Sequence, residues 1–258
     1  MAQFLDKNEI EGFLVHTPLK VEVYDELDST NHFALNRCKQ KKTEASVIIA
    51  DRQTAGRGRL KRVWESPANQ NLYFSILIKP EVALNQWSSL TLISGIACYR
   101  VLKNWIAELR LKWPNDLYVG DKKIGGILCE ISENENKMLV IGVGINLLSK
   151  PEDFSEAIRA QSTSLILESK KSFTRNEIAG KLISEIWKCA QDFFKMGFEL
   201  FRHEWEDAAH MKGKKIKVCD AHLSYSGICR GLDEDGTLLI ERSGILDRVI
   251  AGDVIWED

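Results

Sequence analysis

The most regular stretch of the chain is Ile141-Gly142-Val143-Gly144-Ile145-Asn146-Leu147, where apolar residues alternate with glycine or an amide. A period of two is that of a strand, which the pattern predicts over residues 138–147. Ile141, Val143, Ile145 and Leu147 share one face; Gly142, Gly144 and Asn146 share the other. That second face is bare backbone plus one amide, suited either to close packing or to the floor of a ligand site. Upstream, Phe4, Leu5, Ile10, Phe13 and Leu14 recur at helical spacing. Residues 19–24 alternate as a strand, and Asp28-Ser29-Thr30-Asn31 can cap a short helix through Ala34 and Leu35. Residues 46–50 and 72–78 read as strands, the second stopped by Pro80. Helical periodicity extends over 87–109, 176–194 and 199–209.

Past Met211 the pattern changes to short strands at 215–218, 226–232, 237–241 and 246–251, with Asp235-Gly236 and Ser243-Gly244 at turns. Close spacing of such strands predicts a small antiparallel barrel. The chain therefore divides into a mixed α/β domain over 1–211 and a β module over 212–258. The module has too little core to be very stable alone and should pack on the larger domain.

Composition narrows the class. Lysine and arginine number 35 against 37 acidic residues, so bulk charge gives no reason to expect nucleic-acid binding. No C-x-x-C pair or zinc spacing occurs among the six cysteines, which suits free thiols and the cytoplasm. No signal peptide is expected at the N-terminus, and the longest apolar run, 138–148, is too short to span a bilayer.

Three segments carry candidate chemistry, and a fourth adds polar groups. Lys112-Trp113-Pro114-Asn115-Asp116 leads into a predicted hairpin turning at Gly120-Asp121. With that turn, Tyr118 opposes Lys123 and Asp116 opposes Gly125, so a carboxylate and an ammonium converge over a residue without a side chain. An ordinary charged hairpin accounts equally well for that segment alone. Gly56-Arg57-Gly58-Arg59, with Arg62 and Trp64, can wrap an anion with amides and guanidiniums and offer an aromatic face; a solvated turn is the plainer reading. The Gly142–Asn146 face is the third. Ser29-Thr30-Asn31 offers hydroxyls and an amide to a small polar ring, although capping alone explains it. Together the four suit a polyanionic, base-bearing ligand.

Their order and spacing, with Lys123-Ile124-Gly125-Gly126-Ile127-Leu128 and Gln53, resemble the motifs of biotin protein ligases from about Val21 onward. The resemblance implies an α+β fold, with a central mixed sheet and flanking helices of the class II synthetase-like kind, and a C-terminal SH3-like barrel. It implies activation of biotin by ATP with Mg2+ as biotinyl-adenylate. The biotinyl group then passes to a lysine of a biotin carboxyl carrier domain, typically that of acetyl-CoA carboxylase. By position, Ser29, Thr30, Asn31 and Gln53 would hold the ureido ring, and Gly56, Arg57, Gly58, Arg59, Lys123 and Gly126 the rest of biotin. Arg57, Arg59, Arg62, Trp64, Lys112, Asn115, Lys123 and Asn146 would bind ATP, with Trp64 stacking on adenine. Lys123, Arg57, Lys112 and Asp116 would be the catalytic set, and no residues form a dedicated metal site. A lipoate ligase-like acyl transferase or a non-catalytic biotin sensor are the rival readings.

Two departures matter. Leu60-Lys61 stands where the family pattern carries a glycine, which should stiffen the loop. Only about 20 residues precede the first matched strand, so a monofunctional form without a DNA-binding domain is expected, with neither nucleic acid nor membrane as partner and a homodimer left open.

Overall fold

A computed structural model describes residues 4–14, 17–39, 43–135, 137–219 and 223–257. In chain order the elements of the first part are α1 (Lys7–Glu11), β1 (Lys20–Leu27), α2 (Thr30–Arg37), β2 (Ser46–Gln53), β3 (Leu72–Ile78) and α3 (Ser89–Leu102). Then come β4 (Leu109–Lys112), β5 (Asp116–Val119), β6 (Lys122–Ile131), β7 (Leu139–Ile145), α4 (Glu156–Arg159), α5 (Leu165–Glu168), α6 (Arg175–Met196) and α7 (Glu199–Ala209). The last part is β8 (Lys215–Cys219), β9 (Ser224–Leu232), β10 (Leu238–Arg242), β11 (Ile245–Val249) and β12 (Asp253–Trp256). No described helix is long and apolar enough to cross a membrane.

The first seven strands form one sheet in the order β1-β2-β3-β7-β6-β5-β4. β1 and β2 are parallel and the other pairs antiparallel, so the sheet is mixed as expected. One face is covered along its width. Val47, Ile49, Phe74, Ile76, Ile141 and Val143 point there into the main core with Leu90, Ile93 and Ile96 of α3 and Leu182, Ile183 and Ile186 of α6. Each such side chain contributes about 1.5–3 kcal/mol by leaving water. The Thr174 cap of α6, accepting from Glu177 N, is worth about 1 kcal/mol, so packing dominates that helix. The opposite face is only half covered. Ala34 and Cys38 of α2 pack there on Ile48, Leu77, Met138 and Val140. The remainder of that face is where β7 carries glycines.

Two sequence expectations shift. Helical spacing continues to 109, yet α3 ends at Leu102; Ile106 and Leu109 are buried from a turn and from β4 instead. In the hairpin, Val119 opposes Lys122 and Tyr118 opposes Lys123 as expected, but Asp116 opposes Gly126, not Gly125. Ile124 is an extra, fully buried residue in β6 that moves the register by one.

The last five strands form a second, antiparallel sheet, β11-β10-β9-β8-β12, with the character of a small SH3-like barrel. β12 escaped the sequence reading because it is four residues long. The sheet is tied to the first part at several points. Trp113 Nε1 donates to Gly236 O at 3.2 Å, and Ser89 Oγ donates to Asp235 O at 2.8 Å. Glu206 of α7 accepts from Leu232 N at 2.8 Å. A Cβ on Gly236 would lie 2.4 Å from Leu92 Cδ1, so the turn sits flush against α3.

Candidate functional site

The half-covered sheet face, the loop after β2 and the β4–β5–β6 hairpins enclose a cleft of about 210 Å3. Of the residues singled out in the sequence, the cleft is lined by Ser29, Thr30, Asn31 and Gln53 at one end. Arg57, Gly58, Arg59, Arg62 and Trp64 cover it. Asn115, Asp116, Lys123, Gly126 and Asn146 complete the wall. Gly56 and Lys112 lie outside the lining. Gly56 is a packing glycine, since a Cβ there would stand 2.3 Å from Trp64 O.

The first end is neutral. Ser29 caps α2, and Thr30 places both N and Oγ1 on Gln53 Oε1, at 2.9 and 3.2 Å. Gln53 Nε2 donates to Ser66 Oγ at 2.9 Å. Asn31 has its amide engaged within the protein: Nδ2 donates to Leu128 O and Glu130, and Oδ1 lies 2.6 Å from Ser75 Oγ. Asn31 also explains Gly142, where a Cβ would come within 2.0 Å of Asn31 Oδ1. The bare face of β7 thus serves close packing at Gly142.

The other end is cationic. Arg57 donates to Glu130 at 2.6 Å. Arg59 donates to Asn115 Oδ1 and to Gly252 O of the second sheet, each at 3.1 Å, and Arg62 pairs with Asp253. The loop closes on itself through Gly58 N to Arg62 O, 2.8 Å. Leu60 and Lys61 hold left-handed backbone, φ 53° and 60°, at the position where a glycine would have been the easier residue.

Lys123 Nζ and Asp116 Oδ1 stand 2.6 Å apart as an ion pair, and among the described residues that buried carboxylate oxygen has no other partner. Both lie over Gly126, where a Cβ would crowd them at 3.2–3.3 Å. The convergence over a bare residue is present, with the glycine displaced by the bulge. Lys123 Nζ is also 5.4 Å from the Trp64 ring centroid. The Trp64 indole rests on Gly144, with its buried Nε1 lacking a partner. Asn146 Nδ2 donates to Thr163 O at 3.0 Å.

Lys112 lies beside the cleft, its Nζ 4.7 Å from the ring centroids of both Tyr118 and Trp256. Burial holds its pKa below the ordinary lysine value, aided by Lys123 and opposed by Asp116, Asp253 and Asp121. Burial, then the fields of Asp116 and Asp253, push the Tyr118 phenol up to about 12.

Asp253, which lines the cleft, and Ser75 and Glu130, which hydrogen-bond the lining residues Thr30, Asn31 and Arg57, were not picked out from the sequence. Ser75 carried a signal, a lone hydroxyl inside the apolar run Leu72–Ile78 that had to find partners. Glu130 and Asp253 are single carboxylates whose relevance depends on tertiary contact.

This arrangement has counterparts. Residues 23–146 match the model of the biotin/lipoate A/B protein ligase family. The bifunctional ligase/repressor BirA of Escherichia coli (strain K12) is 33% identical over 237 residues, which cover 91% of this chain and 73% of that protein. The biotin–[acetyl-CoA-carboxylase] ligase of Mycobacterium tuberculosis is 29% identical, with 92% and 88% covered. Among solved structures, the biotin protein ligase from Aquifex aeolicus in complex with biotin and ATP superposes with a TM-score of 0.78 at 30% identity, covering 92% of this chain and 98% of that one.

Proposed function

The chain belongs to the biotin/lipoate A/B protein ligase family and is a biotin ligase, and on that footing we propose the reaction it performs. Biotin and ATP give biotinyl-adenylate and pyrophosphate; the biotinyl group then passes to a lysine of a biotin carboxyl carrier domain. The observation that carries this reading is a single cleft with a neutral hydrogen-bonding end, Thr30 and Gln53, and a cationic end, Arg57, Arg59 and Lys123. A ureido ring suits the first and a carboxylate beside phosphates the second.

In the first step a biotin carboxylate oxygen bonds to the α-phosphorus as the bond to the β-phosphate oxygen breaks. Two anions must approach, so the barrier is set largely by charge, and fixed cations lower it. Lys123 sits where the new anhydride forms, and Arg57 and Arg59 close over it from the loop. In the second step an amine attacks the acyl carbon, AMP leaves, and the amine must shed a proton. Asp116 is the carboxylate in reach. Its buried oxygen, held by Lys123 alone, also suits one ligand position of a Mg2+ that arrives on the nucleotide; among the described residues no cluster of three metal-binding side chains forms a protein cage. Bound there, Mg2+ would offset phosphate charge.

The cleft, about 210 Å3, is below the roughly 300–1,000 Å3 usual for drug-sized ligands. Trp64 resting on Gly144 fills part of it, so nucleotide entry lifts that indole, which then stacks on adenine. Asn31, with its amide committed inside the protein, positions Ser29 and Thr30 at the ureido end. The division at residues 211 and 212 is retained as the domain boundary, and the cytoplasm as the setting where ATP and carrier meet. The test is ATP-dependent pyrophosphate release with biotin or lipoate, followed by transfer of labelled biotin to a purified carrier domain. Release with lipoate but not biotin would replace this reading with the lipoate one; release without transfer would remove the second step.

A further inference from the structure

Arg110 and Lys112 alternate with Leu109 and Leu111, so the leucines enter the core and the cations face away from it. Across the strand pair, Arg110 meets Tyr118 and Lys112 meets Asp116. The outer side of this patch is closed by Trp256 of β12, from the second sheet. Its ring stands edge-on to Tyr118, centroids 5.7 Å apart and planes at 84°. The Arg110 guanidinium is 5.4 Å from the Trp256 centroid, and Lys112 Nζ lies between the two rings at 4.7 Å from each. The buried Trp256 Nε1 has no hydrogen-bond partner, so ring contacts rather than a polar bond seat the indole.

Lys112 differs from the neighbouring cations. Arg57, Arg59, Arg62 and Lys123 are each paired with a carboxylate. Among the described residues the Lys112 ammonium has no ion pair and no hydrogen bond. Aromatic faces hold a cation through their quadrupoles without consuming its N–H donors or neutralising its charge. A carboxylate in the same place would do both. Burial among rings also strips water from the ammonium, which strengthens its attraction for an arriving anion.

We propose that Trp256 is a positioning residue of the ligase site: with Tyr118 it forms an aromatic seat that keeps Lys112 charged, fixed and uncommitted for the phosphate end of the nucleotide. The second sheet then contributes to adenylate formation through a contact with Lys112, and not only by general bracing. This inference rests on the proposed reaction, which supplies the phosphate.

The experiment uses the full chain with Trp256→Leu, which keeps apolar bulk without a ring, and Trp256→Phe, which restores one. Biotin-dependent ATP–pyrophosphate exchange is read as kcat and as KM for biotin. Trp256→Leu should lower kcat by about tenfold, the scale of a desolvated cation–π contact, while the biotin KM stays close to wild type. Trp256→Phe should recover most of the loss. In parallel, the NMR shift of the Lys112 ε-methylene reports the seat without catalysis: it should be moved upfield by ring current in wild type and Trp256→Phe, and lose that displacement in Trp256→Leu. Unchanged exchange in Trp256→Leu would overturn the inference. So would equal losses in both variants accompanied by a lower Tm, the mark of a purely structural role. Absence of biotin-dependent exchange in the wild-type chain would instead overturn the proposed reaction, with the methylene shift still reporting whether the seat exists.

Discussion

Lys123 and Asp116 hold each other across Gly126 at 2.6 Å, and phosphate and metal must compete with that pair. Removing Lys123 takes away a cation preorganised for the charge that builds up as the anhydride forms. Lys123→Ala should slow biotin-dependent pyrophosphate exchange by about a hundredfold or more, the scale for losing one such group. Near wild-type exchange in a folded variant would show that Lys123 is not the electrostatic centre of the step. A second residue probes the neutral end. At Gly142 a Cβ would press on Asn31 Oδ1 at 2.0 Å, in a fully partnered network that cannot give way freely. Gly142→Ala should cost about 1–3 kcal/mol of stability by overpacking. It should also weaken biotin binding, because displacing Asn31 moves Thr30 beside it. Chemical denaturation and biotin titration check both effects, and an unchanged biotin affinity would detach the Asn31 network from recognition.

Among the elements, the loop from Gly56 to Ser66 has few apolar anchors, exposes Leu60 and Val63, and carries left-handed backbone at Leu60 and Lys61. It should open more readily than the sheet beneath it. Its amides should therefore exchange quickly in the free protein and slow when biotin and ATP are added together; exchange unaffected by both ligands would remove the ordering step. The helices offer a contrasting case. Arg100 of α3 binds Glu185 of α6 and Glu204 of α7, and its hydrogen bonds hold the Glu204 carboxyl below the ordinary value of 4.5. A depressed carboxyl stabilises the fold above its unfolded pKa, and that stabilisation is lost as pH falls through the folded pKa. The Tm advantage of wild type over Glu204→Gln should be full at neutral pH and shrink below about pH 4.5. An advantage independent of pH would contradict the ion-pair origin.

These elements also show what a sequence discloses. β3 was readable to the residue because a run apolar but for Ser75 stops just short of Pro80. α3 was read too long because Ile106 and Leu109 keep helical spacing while being buried from other elements. The hairpin turn was legible at Gly120, whose φ of 57° favours glycine, but the Ile124 bulge was not, since an extra isoleucine looks like any apolar residue. Most of the proposed cleft was visible because glycines and cations outside the core pattern need a reason. Glu130 and Asp253 were not, since only the fold brings them near Arg57 and Arg62. Nor does the sequence disclose that Arg230 pairs with Glu241 and Arg248 with Asp233 and Asp235, all within their own sheet.

On the scale of the whole molecule, the second sheet reaches the first through two faces, the Asp235-Gly236 turn against α3 and the β12 strand against the hairpin and loop. A chain ended at Met211 loses both and uncovers apolar surface on α3. Transfer of biotin to a carrier domain by that shortened chain, once shown to be folded, should fall well below that of the full chain at low carrier concentration. Equal transfer would make the second sheet dispensable.

The bond from Arg59 to Gly252 joins positions 193 residues apart. Ribosomes add roughly 5–20 residues per second, so Arg59 waits on the order of 10–40 s for the acceptor that fixes it. The neutral end of the cleft and the partners of Arg57 and Lys123 are complete once β6 and β7 are made, while Arg59 and Arg62 await Gly252 and Asp253. A nascent chain stalled short of Gly252 should therefore bind biotin weakly and fail to activate it, so that ATP consumption begins only as synthesis reaches the final strand.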